Sequence, residues 1–178
     1  MKLLWLFTIN DARLLDQMIE LSSRIFIRNP EIEQCIKIHG NVPFLIENLF
    51  QNGIKIVYNN SLELKRVLNI FNPDTVLVFG SITTVLDNLN IINKIKKCKI
   101  VSYVSIHRKY CKKLFIEQIL DGSSKMIVTS DGIRENITQM IGKEVNVLPL
   151  GFLRYEKNNK TEAREIISKH GLNLRDKF

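Results

Sequence analysis

Short apolar runs alternate with amphipathic stretches along most of this chain, and that order narrows the fold more than any other feature. Leu3 to Ile9 is nearly continuous in apolar residues, as a strand buried on both faces must be. Leu14, Met18, Leu21 and Ile25 then recur at spacings of four, three and four, which puts them on one side of a helix. Ile36 to His39 reads as a short strand, Gly40-Asn41 as a turn, and Val42 to Asn52 as a helix with Gly53 as its C-cap. Ile54 to Tyr58 alternates like a strand. Ser61 is placed to cap a helix whose inner side is Leu64, Val67, Leu68 and Phe71, and Asn72-Pro73-Asp74 stops it.

The second half repeats the scheme. Thr75 to Phe79 is a β-branched run ending in Gly80-Ser81, followed by a helix from Thr84 to Lys97. Ile100 to Ile106 is the next strand, Tyr110 to Leu120 the next helix, and Asp121-Gly122 a turn. Met126 to Thr129 is a strand. Ile133, Ile137 and Ile141 lie four apart on a helix that Gly142 closes, and Val145 to Leu148 is a last short strand. The order predicts an α/β, Rossmann-like, doubly wound and mostly parallel sheet of about seven strands with helices on both faces. It occupies residues 1–152. From residue 153 the chain turns polar, as a linker does, and Thr161 then caps a short helix ending at Gly171.

Composition removes several alternatives. With 45% apolar and 25% charged residues the chain has the make-up of a soluble globular protein, and no apolar run is long enough to span a bilayer. The apolar start is followed at once by Asn10, Asp11 and Arg13, without a small-residue cleavage site, so it reads as a buried strand rather than a signal peptide. Cys35, Cys98 and Cys111 are odd in number and lack metal-ligand spacing; they read as reduced thiols in a cytoplasmic protein with no metal site. The net charge of +8 is uneven. No acid occurs between Asp87 and Glu117, a stretch that holds Lys94, Lys96, Lys97, Lys99, Arg108, Lys109, Lys112 and Lys113. Such a stretch is either a solvated basic face or a surface for something anionic: a lipid headgroup surface, a phosphorylated acceptor or nucleic acid. An anionic membrane met through Lys94, Lys96, Lys97, Lys112 and Lys113 fits better than nucleic acid, because aromatics for base stacking are not interleaved with the lysines.

In open parallel sheets ligands bind beyond the carboxyl ends of the strands, so the residues just past each run matter most. These include Asn10 and Asp11, His39, Asn59 and Asn60, Ser81, His107 and Arg108, Ser130 and Asp131, and Gly151. The GxGxxG fingerprint is absent from the first strand–helix turn, and neither a P-loop nor a GxSxG elbow occurs. Dinucleotide dehydrogenases, P-loop NTPases and the usual α/β-hydrolases are therefore set aside, and no cofactor is expected. His107 ends an apolar strand and precedes Arg108 and Lys109. An imidazole there can donate to a phosphate or sugar hydroxyl, exchange a proton near neutral pH, or simply satisfy a backbone carbonyl. Ser130-Asp131-Gly132 opens a helix, either as its cap or as a ligand contact.

Three segments carry a resemblance. Met126-Ile127-Val128-Thr129-Ser130-Asp131-Gly132-Ile133-Arg134-Glu135 resembles the strand and helix that close the N-terminal domain of GT-B glycosyltransferases, family 4 in particular. Val145 to Phe152 is similar to that family's strand into the interdomain crossing, and Ala163 to Leu172 to the helix that leads into its second domain. The resemblance implies a hexosyl-type transferase that moves a sugar from a nucleotide-sugar donor to the hydroxyl of a glycan, lipid or protein acceptor. This chain would be the acceptor-side half. Residues 153–178 would begin a donor-binding domain lying beyond Phe178. His107 would be the catalytic group lining the cleft, with Asn10, Asp11, Ser81, Arg108, Ser130 and Asp131 as acceptor contacts and Gly151 as the hinge. Two positions differ from the family's habit: Asn10-Asp11-Ala12 replaces a glycine-rich loop, and Arg108 follows the histidine where an aspartate is usual. The remaining alternatives are a non-catalytic Rossmann-like binding or interaction domain, and a small nucleotide- or phosphosugar-binding enzyme complete in itself.

Overall fold

Among the described residues of the computed structural model seven strands form one sheet, and every pairing between them is parallel. The structure describes residues 1–8, 12–39, 55–58, 63–106 and 112–148. The strands are β1 (Lys2–Thr8), β2 (Glu33–His39), β3 (Lys55–Tyr58), β4 (Thr75–Ser81), β5 (Lys99–Ser105), β6 (Lys125–Val128) and β7 (Asn146–Val147). The helices are α1 (Ala12–Arg28), α2 (Leu64–Phe71), α3 (Ile82–Ile95), α4 (Lys113–Gly122) and α5 (Asp131–Ile141). The sheet order is β3-β2-β1-β4-β5-β6-β7. The chain thus winds outward from β1 to β3, returns to lay β4 against β1, and winds outward the other way. Right-handed crossovers then require α1 on one face and α2 to α5 on the other.

The side chains follow that geometry. In β1, Leu4 and Leu6 enter one core and Leu3, Trp5 and Phe7 the other, all buried, which is why the strand reads as an unbroken apolar run. The first core is mostly aliphatic: Val76, Val78, Val104 and Val128 from the strands meet Leu68, Val85, Ile92, Ile116 and Ile137 from α2 to α5, with Phe71 among them. The second is aromatic. Trp5 stacks on Phe79 at 5.8 Å between ring centroids, Phe79 on Tyr103 at 5.0 Å, and Met18 of α1 is buried with them. Register explains the ladder, because Phe7, Phe79 and Tyr103 lie opposite one another on adjacent strands. The polar tips in this core are satisfied. The Trp5 indole N–H donates to Gln34 Oε1 at 2.9 Å, and Gln34 Nε2 donates to the Ser22 carbonyl at 3.0 Å. The Tyr103 hydroxyl donates to the Leu148 carbonyl at 2.8 Å, tying the end of β7 to β5.

Most expected elements are present, with boundaries shifted for identifiable reasons. All four inward residues of α2 are buried, but its N-cap is Glu63 rather than Ser61. Asn72 ends α2 with a left-handed backbone, φ 52°, and Gly142 ends α5 with φ 67°. Asp121-Gly122 is the last part of α4, not a turn: the Gly122 carbonyl accepts a hydrogen bond from Asn93 Nδ2 at 3.1 Å, so α3 holds that end of the helix in place. β7 is shorter than the run Val145 to Leu148. The expected helix over 42–52, residue Cys111 and the domain boundary at 152–153 lie outside the described residues. Among the described residues Cys35 is buried and Cys98 half-buried, and no helix is long and apolar enough to cross a membrane.

Lys37 is the unexpected core residue. It is fully buried between Ile36 and Ile38, on the side of β2 that also carries Cys35. Burial lowers its pKa from the usual lysine value, and the nearby Cys35 pulls it the other way.

Two stability measurements follow from these contacts. Gln34→Leu removes the acceptor of a buried indole N–H and should cost about 1–3 kcal/mol in urea denaturation. Trp5, the chain's single tryptophan, provides the fluorescence signal. An unchanged midpoint would show that the indole finds another partner. Lys37 gives a pH effect. Between its lowered folded-state pKa and the ordinary 10.5, the unfolded chain binds the extra proton, so this residue makes stability rise with pH across that window. Lys37→Met should flatten that rise relative to the parent chain; equal slopes in the two proteins would refute it.

Candidate functional site

The sheet reverses its winding between β1 and β4, so the connections leaving those two strands diverge. A crevice at the carboxyl ends results, and it is the usual ligand position in such sheets. β1 reaches it at Thr8 and β4 at Gly80-Ser81. The strand turns directly into α3, and Gly80 permits it: a Cβ there would lie 2.8 Å from Cγ2 of Thr84. Ser81 caps α3, its Oγ accepting from the Thr84 N–H at 3.4 Å. The same Oγ lies 3.0 Å from the Thr83 hydroxyl and 3.1 Å from that of Thr84. Three hydroxyls therefore meet at the start of a helix, where backbone N–H groups and the helix dipole favour oxyanions and hydroxyl oxygens.

The rim continues outward from Ser81. Register sets Ser81 opposite Ser105, and Val104 opposite Val128, so Ser105 and the Thr129-Ser130 pair follow at the ends of β5 and β6. Behind them Phe79, Tyr103 and Ile127 form an apolar row from the same three strands. Ser130 occupies the N-cap position of α5, yet its side chain makes no capping hydrogen bond. Asp131 Oδ1 is paired with Arg134 at 2.9 Å, one turn along the same helix. The rim therefore offers exposed hydroxyls at Ser81, Thr83 and Ser130, together with a carboxylate–guanidinium pair.

Of the residues expected at the site, Ser81, Ser130 and Asp131 are brought to this rim. Asn10, Asp11, His107, Arg108 and Gly151 lie outside the described residues. The strand that leads to His107 is described: β5 ends at Ser105, and Ile106 is buried. Thr83, Thr84, Ser105 and Arg134 were not expected at the site. The signal for the threonines was available, since two hydroxyl residues close behind a strand-ending Gly-Ser place more than one side chain at a helix start. Among the described residues no group of three His, Cys, Asp or Glu side chains is placed to hold a metal ion.

No protein-family model matches the sequence, and no curated protein matches it. Solved structures do. The glycosyltransferase from Rickettsia africae ESF-5 is similar with a TM-score of 0.65 at 10% identity, over 97% of this chain and 50% of that one. A ugt transferase from Siraitia grosvenorii, in complex with UDP, gives 0.55 at 8% identity, over 95% of this chain and 55% of that one. UDP-GlcNAc 2-epimerase from Methanocaldococcus jannaschii gives 0.54 at 17% identity, over 85% and 45%. The fold is that of a GT-B domain. The chain spans about half the length of the solved structures it matches. In this GT-B domain the hydroxyl-lined rim belongs to the ends of β4, β5 and β6, the central strands on one side of the winding reversal.

Ser81 and Ser130 separate capping from an unengaged hydroxyl. Ser81→Ala should destabilise the GT-B domain by about 0.5–2 kcal/mol, as loss of an N-cap does. Ser130→Ala should shift stability by less than about 0.5 kcal/mol. Urea denaturation of both variants checks this, and a large loss at Ser130 would mean that its hydroxyl does cap α5.

Proposed function

We propose that this chain is the acceptor-side half of a glycosyltransferase of the family 4 type, which moves a hexosyl group from a nucleotide-sugar to an acceptor hydroxyl. The observation that carries the reading is the GT-B fold, shared over about half the length of a glycosyltransferase and of a ugt transferase that binds UDP. The rim supports it chemically. Hydroxyls and a carboxylate–guanidinium pair offer paired donors and acceptors, which suit a polyhydroxyl ligand.

In this reading the acceptor oxygen forms a bond to the anomeric carbon of the donor, the nucleoside diphosphate leaves with the electron pair of the broken bond, and the acceptor hydroxyl gives up its proton. His107 lines the cleft where that proton or the transferred sugar can be met. Asn10, Asp11, Ser81, Arg108, Ser130 and Asp131 hold the acceptor, Gly151 lies in the hinge, and donor-binding residues come from the second domain. The acceptor hydroxyl is borne by a glycan, lipid or protein. The competing reading is a non-catalytic Rossmann-like binding domain, which the half-length match equally suits.

Two experiments separate them. In the enzyme containing this domain, His107→Ala should lower turnover at least about 100-fold without changing the unfolding midpoint. Full activity in the variant would remove the histidine from the reaction. Calorimetric titration of residues 1–178 with a panel of UDP-sugars should give no binding. Micromolar binding would overturn the division into donor and acceptor halves.

A further inference from the structure

The basic stretch from Lys94 to Lys113 is continuous in sequence but divided in space. Helices run back against the strands in each βαβ unit, so α3 ends where β5 begins, and α4 begins at the opposite end of the sheet. Lys94, Lys96, Lys97 and Lys99 therefore lie at the starts of the strands, and Lys112 and Lys113 lie near the rim. Lys125 joins the first group, because it begins β6 opposite Val101, two residues from Lys99. All of these are exposed except Lys96, which is half-buried and donates to Asn72 Oδ1 at the end of α2. The acids at this end are outnumbered by the lysines: Asp74 and Glu33 are engaged, and Glu31, Asp121 and Glu144 are exposed. Asp74 accepts from the Lys2 backbone N–H at 2.7 Å, Glu33 pairs with the Lys2 ammonium at 3.3 Å, and Asp121 ends α4 beside the lysines.

Exposed aliphatic side chains are more numerous at this end than at the rim, where Leu114 and Leu148 are also exposed. Met1, Ile27, Ile70 and Ile91 all lie at a strand start or toward the end of a helix, with Ile70 66% exposed and Ile91 40% exposed. Ile91 and Lys94 are three apart on α3, so they share one side of the helix. None of the large apolar side chains exposed among the described residues is aromatic. Aliphatic side chains beside lysines match a bilayer interface, which takes apolar groups into its acyl boundary and meets the ammonium groups with lipid phosphates. A surface for single-stranded nucleic acid would need rings for base stacking.

We infer that the end of the sheet formed by Lys94, Lys97, Lys99, Lys125 and Ile91 is a docking surface for an anionic lipid bilayer. It faces away from the rim, at the other end of strands that are roughly 20 Å long. A chain held there keeps the candidate site open to solvent. The inference rests on the placement of these side chains and not on the proposed transferase activity.

The test is co-sedimentation of residues 1–178 with phosphatidylglycerol/phosphatidylcholine vesicles and with phosphatidylcholine alone. Binding should require the anionic lipid and weaken as salt rises. The triple variant Lys94→Glu, Lys97→Glu, Lys99→Glu should lose at least about tenfold in vesicle affinity, consistent with the usual gain per lysine at such a surface. Lys112→Glu with Lys113→Glu should bind within about twofold of the parent chain, and Ile91→Ser should weaken binding. Circular dichroism confirms that each variant is folded. Absence of binding to anionic vesicles overturns the inference, as does equal loss from the Lys112 and Lys113 pair, or a preference for an oligonucleotide over the vesicles.

Discussion

Burial of β1 on both faces is the constraint from which the rest of this structure follows. Leu4 and Leu6 must be covered from one side, and Leu3, Trp5 and Phe7 from the other. A strand with that requirement cannot lie at an edge or face water. β2 and β4 flank it, and the chain has to leave it in one direction and come back to it from the other. The reversal that satisfies β1 is the same reversal that opens the crevice at the carboxyl ends. In this fold the demand for a covered core and the existence of a candidate site have one cause.

The two cores divide the work differently. The aliphatic core is covered by four helices, and it is built from residues whose only requirement is to be packed. The aromatic core contains Trp5 and Tyr103, whose polar tips each need a partner once buried. Gln34 and the Leu148 carbonyl supply those partners from β2 and from the end of β7, so the polar contacts specify which strands and turns must be neighbours. The Tyr103 contact matters for the rim as well. It holds the chain just past β7 against β5, the strand that leads toward His107.

Periodicity made most of the fold readable. β1 and β4, buried on both faces, left apolar runs, and α2 showed all four of its buried residues by spacing alone. What escaped was set by contacts between distant segments. Asp121-Gly122 has the composition of a turn, but Asn93 on another helix accommodates it as helix. Lys37 carries a charge of the kind that usually meets water, yet β2 has strands on both sides and cores on both faces, so no outward position exists there. At the site, sequence located the strand ends but could not say which hydroxyls were already engaged. Ser81 and Ser130 occupy equivalent positions before their helices, and only Ser81 caps.

The lysines show the same limit for charge. A count along the chain treats Lys94 to Lys113 as one basic region, whereas the intervening strand β5 carries its two ends to opposite poles of the sheet. Net charge then says nothing about where a partner can sit. What distinguishes the poles is the company of the lysines. At the strand starts they are joined by Lys125 from the next strand and by exposed isoleucines, and near the rim Lys112 lies over the Phe115 ring and Lys113 is followed by the exposed Leu114. A surface that gathers lysines from two adjacent strands beside aliphatic side chains offers more charge to an anionic partner than a single helix start does, and that difference arises only when the strands are placed side by side.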